Sequence, residues 1–153
     1  MSKVRAIPEG LHAVTPALTI DGCAKAIDWY RKALGAEEIT RFADPSGQKI
    51  WHAMIRIGDS TLFVNDAFPD MGGPPLPTRL WIYGENVDRA WQRAVDAGAK
   101  IKMPLADMFW GDRMGTIIDP FGNEWSLAQR IKDMTPAEMK QAQDAFVASM
   151  PKR

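Results

Sequence analysis

The sequence predicts an α+β fold: two tandem βαβββ modules, with a helix appended at the C-terminus; the open strand faces and a family resemblance add a curved mixed sheet around a cavity. Three observations predict it: a helical segment that recurs along the chain, a turn-and-strand segment that recurs with the same offset, and a capping box that opens a last helix. Ile20–Ala36 (IDGCAKAIDWYRKALGA) and Tyr83–Ala99 (YGENVDRAWQRAVDAGA) both end in Gly-Ala, and Gly35 and Gly98 lie 63 residues apart. The same offset carries 58–64 (GDSTLFV) onto 121–127 (FGNEWSL).

Each module reads strand, helix, then three strands. The first strand lies near 13–20, and its helix follows with Asp21 as a plausible N-cap and Gly35 at the left-handed C-terminal position. Ala26, Ile27, Tyr30, Ala33 and Leu34 recur at helical spacing. Strands near 38–43, 49–57 and 61–66 complete a module over 11–66. Residues 67–77, containing PDMGGPPLP at 69–77, read as a linker because proline and glycine break regular structure. The second module, 78–130, has strands near 78–84, 100–104, 113–118 and 124–129. Its helix has Asn86 as the candidate cap and Val87, Ala90, Trp91, Ala94 and Val95 as its apolar face. Thr135-Pro136-Ala137-Glu138 then opens a helix over 135–149 with a stripe of Met139, Ala142, Phe146 and Met150. All of this makes one domain of 1–153.

Strand side chains alternate between faces. Leu18 and Ile20, Leu62 and Val64, Leu80 and Ile82, Trp125 and Leu127 form apolar sets suited to lie under the helices. The opposite faces are mixed: Thr15 and Thr19; Thr61, Phe63 and Asn65; Arg79, Trp81 and Tyr83; Glu124 and Ser126. Aromatic and polar side chains on four strands suit a ligand cavity better than a plain solvent-facing surface.

Composition narrows the partners. Nineteen basic and nineteen acidic side chains cancel, so no net field favours nucleic acid or an anionic membrane. No apolar run approaches membrane-spanning length, and residues 1–10 do not resemble a signal peptide. A single cysteine, Cys23, makes no internal disulfide, which points to a reducing compartment and a cytoplasmic protein. Six tryptophans in 153 residues supply unusual aromatic surface.

Three segments resemble the vicinal oxygen chelate superfamily of glyoxalases, bleomycin-resistance proteins and dioxygenases: AIDWYRKALGAEE (26–38), IRIGDSTLFVND (55–66) and PLADMFWGDRMGTIIDPFGNEWSLA (104–128). The last is most similar to the bleomycin-resistance and PhnB-like branch, and the resemblance covers roughly 11–130. It implies a U-shaped sheet around a cavity, a homodimer, and, in the enzymes of the superfamily, a divalent metal held by His, Gln and Glu from four strands. Those positions fall on Thr15, Phe63, Thr78 or Arg79, and Ser126. None is a usual ligand, since Phe63 donates nothing and Arg79 is a permanent cation. No metal and no cofactor are therefore expected. Thr15, Phe63, Arg79, Trp81, Trp110, Arg113 and Ser126 are instead the expected ligand-binding set, with Trp110 stacking on a flat molecule and Arg79 or Arg113 binding a carboxylate or phosphate.

Other reactive groups are sparse. His52 and Glu124 are the two candidates for acid–base work, while His12 at the strand entrance reads as exposed or structural. Cys23 has no base beside it in sequence and reads as buried filler. Three readings stand: a metal-free binder of a small aromatic or amphipathic molecule of the antibiotic-sequestering type; an enzyme of glyoxalase or dioxygenase type with unconventional residues; and an interaction module with a vestigial pocket.

Overall fold

Hydrogen bonds between strands build the same unit twice. In the computed structural model, which describes residues 3–71 and 73–152, the first module runs β1 (Ala17–Ile20), α1 (Cys23–Leu34), β2 (Glu37–Ala43), β3 (Ile50–Ile57) and β4 (Ser60–Asp66). The second runs β5 (Arg79–Tyr83), α2 (Val87–Asp96), β6 (Lys100–Asp107), β7 (Asp112–Ile118) and β8 (Glu124–Arg130), and α3 (Pro136–Ser149) follows. Each module makes a four-stranded mixed sheet, in the orders β1-β4-β3-β2 and β5-β8-β7-β6. The first strand of each pairs in parallel with the fourth, and the other pairings are antiparallel. The two sheets are separate and do not close into a barrel.

Two strand limits differ by more than one residue from the sequence expectation, and each lies at or near a proline. β1 starts at Ala17 rather than near 13, because Pro16 has no N–H to give the ladder, although its carbonyl still accepts from Phe63 N at 2.9 Å. β6 runs through Pro104 to Asp107 because its register shifts between Ile101 and Met103 and again between Met103 and Ala106, so the proline falls where pairing is broken. The linker contains a 3-10 turn at Pro69–Met71, and Leu76 N bonds Thr19 O at 3.2 Å.

The helix caps are symmetric in an unexpected way. Asn86 caps α2 as expected, accepting from Arg89 N at 3.1 Å. Asp21 does not cap α1; the cap position is Gly22, in the left-handed conformation with no side chain to offer. Asp66, at the end of β4, takes over: Gly22 N and Cys23 N donate to its Oδ1 at 3.2 and 2.9 Å, and Ile50 N donates to Oδ2 at 2.7 Å. Gln129, 63 residues further on, likewise accepts from Val87 N at 3.0 Å at the start of α2. The helix N–H groups that have no intrahelical partner are thus satisfied by the last strand of each module.

The core unites both modules. Leu18, Ile20, Ile27, Ile55 and Val64 pack in one cluster with Val87, Ile117, Trp125 and Leu127. Each such side chain contributes roughly 1.5–3 kcal/mol when fully buried. Polar contacts hold α1 to the second module. Tyr30 OH donates to Asp119 Oδ2 at 2.6 Å, and its ring meets Trp125 edge-on at 5.2 Å. Trp29 Nε1 donates to Ala97 O, and the Arg93 guanidinium donates to the carbonyls of Lys32 and Arg31 at 2.7 and 3.1 Å, a cation at the negative end of α1. α3 has the expected capping box, buries none of its residues, and stacks Phe146 on Phe109 at 4.9 Å. Among the described residues no helix is long and apolar enough to cross a membrane.

Candidate functional site

Register assigns the two open sheet faces. Thr40, Met54, Phe63 and Ala17 line up across the first sheet, with Phe42 opposite His52 in the next row. Met103, Thr116, Ser126 and Trp81 line up across the second, flanked by Met114, Ala128 and Tyr83. Ala17 faces Phe63 as Trp81 faces Ser126, so β1 and β5 correspond by 64 residues while β4 and β8 correspond by 63. That extra residue settles the choice between Thr78 and Arg79: Arg79 is the counterpart of Thr15.

The four positions that the resemblance aligns with the superfamily's metal ligands do not fit a cation. Thr15 lies just before β1. Phe63 presents a ring and meets His52 edge-on at 4.7 Å. Arg79 Nε pairs with Glu124 at 3.2 Å, and the Ser126 hydroxyl is buried against Thr116 Oγ1 at 2.9 Å. Among the described residues no three His, Cys, Asp or Glu side chains are grouped to hold a metal ion.

The expected ligand-binding set separates into several places. Arg113 turns away toward Asp88 of α2 at 2.9 Å and Asp107 at the end of β6 at 3.1 Å, which hold it. Trp110 packs edge-on against Phe109 and donates its indole N–H to Asp112 Oδ2 at 3.0 Å. Only Trp81 of the set lines the cleft described next.

That cleft, of about 410 Å³, runs between the free edge of β5 and the β3–β4 turn of the other module. Leu80 to Tyr83 and Trp125 form one wall, and Pro16, Ile57 to Ser60 and Leu62 form the other. Trp81 and Tyr83 project from the same strand face, 46% and 57% exposed, with ring centroids 6.1 Å apart and planes 30° from parallel. A buried carboxylate fixes the second ring: Tyr83 OH donates to Asp112 Oδ2 at 2.8 Å, Asp112 is 1% exposed, and Arg130 lies 3.5 Å from its other oxygen. Donating to a carboxylate raises the Tyr83 pKa, which keeps the phenol neutral. Tyr83 was visible in the sequence as the residue two beyond Trp81. No local signal pointed to Asp59 or Leu62 as its neighbours, because they come from the other module.

The candidate acid–base groups are poorly placed for chemistry. Lys102 donates to Glu124, and that bond, reinforced by Arg79, holds the carboxyl below its usual range, so it is a weakened base. Burial, helped by Asp66, pushes the Cys23 thiol up to about 12. His52 faces Phe63 on the open side of the first sheet.

Paired βαβββ modules with mixed open faces define a class of duplicated α+β proteins. The family model of the Glyoxalase/Bleomycin resistance protein/Dioxygenase superfamily matches residues 10–127, and the chain belongs to that superfamily. An uncharacterised protein of Mycobacterium tuberculosis (strain H37Rv) is 39% identical over 141 residues, covering 85% of this chain and 81% of that one. Protein YjdN of Escherichia coli K12 is 29% identical, over 74% of this chain and 92% of its own. Among solved structures, TioX from Micromonospora sp. ML1 superposes with a TM-score of 0.65 at 24% identity, over 81% of this chain and all of that one. TnmS3, an antibiotic binding protein from Streptomyces sp. CB03234, does so at 0.62 and 25% identity, over 83% and 99%.

Proposed function

We propose that this protein binds a small organic molecule with a flat aromatic group and holds it without chemistry, in a site that uses no metal. The observation that carries this reading is the Trp81–Tyr83 pair, presented on a strand edge and lining a cleft whose other walls are largely apolar. Two exposed rings in near-parallel planes offer stacking surface, and Leu62, Leu80 and Ile82 supply apolar burial. The cleft volume falls in the range of about 300–1,000 Å³ usual for small-molecule sites. The likeness to an antibiotic binding protein supports sequestration, and an antibiotic is the first ligand to try. The unsuitable donors at the four ligand positions, together with a Glu124 clamped by two cations, support a binder over a metal-dependent or acid–base enzyme.

The same reading makes the protein a cytoplasmic homodimer. A lone buried cysteine suits a reducing compartment, and the uncovered face of the first sheet suits a second copy.

Intrinsic tryptophan fluorescence, titrated with aromatic compounds and bleomycin-type antibiotics, tests the reading. Saturable quenching and a raised melting temperature are expected, with Trp81→Ala weakening binding about tenfold. Unchanged emission and melting across the panel overturn it. So does stoichiometric zinc, nickel, manganese or iron in elemental analysis of the purified protein.

A further inference from the structure

The charges around the cleft specify its ligand more narrowly than aromatic stacking does. Among the described residues that line it, Asp59 alone carries a formal charge. The cations next in sequence to the lining residues are already engaged: Arg56, beside Ile57, lies 2.6 Å from Glu37, and Arg79, beside Leu80, lies 3.2 Å from Glu124. Arg113, the other basic residue expected to orient a ligand, is bound by Asp88 and Asp107. Among the described residues the lining of the cleft therefore offers no cation to neutralise a carboxylate or phosphate. It does offer two ring faces, whose quadrupoles are negative, and one carboxylate at the turn opposite them.

We propose that the cleft selects organic cations: a flat aromatic or alkyl ammonium group lies against the Trp81 and Tyr83 rings, and the Asp59 carboxylate faces its charge. This rests on the reading of the cleft as a small-molecule site and adds the sign of the ligand's charge. The anchoring of Tyr83 by the buried Asp112 serves it directly, since a ring held in place loses little freedom when a cation settles on it. Asp59 is exposed at the Gly58-Asp59 turn, and its Oδ1 accepts only from the neighbouring Ser60 hydroxyl among the described side-chain bonds, so it remains open to a ligand.

A matched pair of probes separates charge from shape. N-methylquinolinium is a permanent cation, while quinoline of nearly the same outline is neutral at mildly alkaline pH. Fluorescence or calorimetric titration should show the cation binding roughly three- to tenfold more tightly, with the difference shrinking in high salt. Asp59→Asn should remove that preference and leave quinoline affinity unchanged, whereas Trp81→Ala should weaken both probes. Asp70→Asn, which removes an exposed acid that does not line the cleft, should change neither. Equal or tighter binding of quinoline, or an equal loss in Asp59→Asn and Asp70→Asn, overturns the cation proposal and leaves the small-molecule site standing. Failure of both probes to bind, together with a silent antibiotic panel, removes both.

Discussion

Asp66 is 4% exposed, and its two oxygens accept from three backbone N–H groups, those of Gly22, Cys23 and Ile50. Removing the carboxylate leaves three donors in or near the core without a partner, and each costs on the order of 1–3 kcal/mol. Asp66→Ala should therefore lower unfolding stability by about 3–5 kcal/mol in a urea titration. Asp66→Asn keeps one oxygen acceptor and should lose about half as much; equal losses in the two variants would mean that side-chain volume, not hydrogen bonding, sets the cost. By contrast, the Lys140–Asp144 pair is exposed and one helical turn apart, and removing it should change stability by no more than about 0.5 kcal/mol. Cys23 shows burial acting on reactivity. Its thiol pKa is raised to about 12, so the thiolate that attacks alkylating reagents is scarce at neutral and mildly alkaline pH. Iodoacetamide should leave the folded protein unmodified and label it fully in guanidinium; rapid labelling of the native protein would contradict this burial.

Elements in this fold are set by close approaches as much as by propensity. Gly115 lies on β7 where α2 crosses, and a β-carbon there would stand 2.6 Å from Trp91 Cζ3 and 2.9 Å from the backbone nitrogen of Leu105. Both neighbours are constrained, one by a helix and one by a strand, so Gly115→Ala should force α2 off the sheet and cost about 2–3 kcal/mol. A melting temperature within a degree or two of the parent would show that Trp91 swings aside freely. Nothing local in the sequence marks Gly115 as a crossing, because its neighbour Trp91 lies in another element. Features written in one segment were legible, among them the two helices, the capping box of α3, the Asn86 cap and the alternation that put Trp81 and Tyr83 on one face. Features that join distant segments were not. The cap of α1 comes from Asp66, the partner of Arg113 is Asp88, and the wall facing Trp81 is a turn of the other module.

At the scale of the whole molecule the two halves have diverged in how much of their open face they fill. In the second sheet, Met114, Thr116, Ser126 and Ala128 are all buried, so the middle of that face is already packed and Trp81 and Tyr83 stay exposed at its edge. In the first, the row through Phe42 and His52 has no comparable cover, and Phe42 is 61% exposed. Apolar side chains fixed on a sheet lose little order when a partner covers them, and an exposed apolar face gains from such cover. α3 adds to the imbalance, with Phe146, Val147 and Met150 each about half exposed. A second copy seated on these surfaces, as proposed above, would relieve both, and burial on the order of 1,200–2,000 Å² in total would hold a stable dimer. Sedimentation equilibrium should accordingly give twice the 17.0 kDa of one chain. Phe42→Glu, which places a charge on the edge strand of the uncovered face, should shift that mass toward one chain while leaving the far-ultraviolet circular dichroism unchanged. A single-chain mass for the parent protein across the accessible concentration range would mean that the first sheet keeps its open face for solvent or ligand. A dimer that tolerates Phe42→Glu would move the interface to another surface, with α3 the next to truncate.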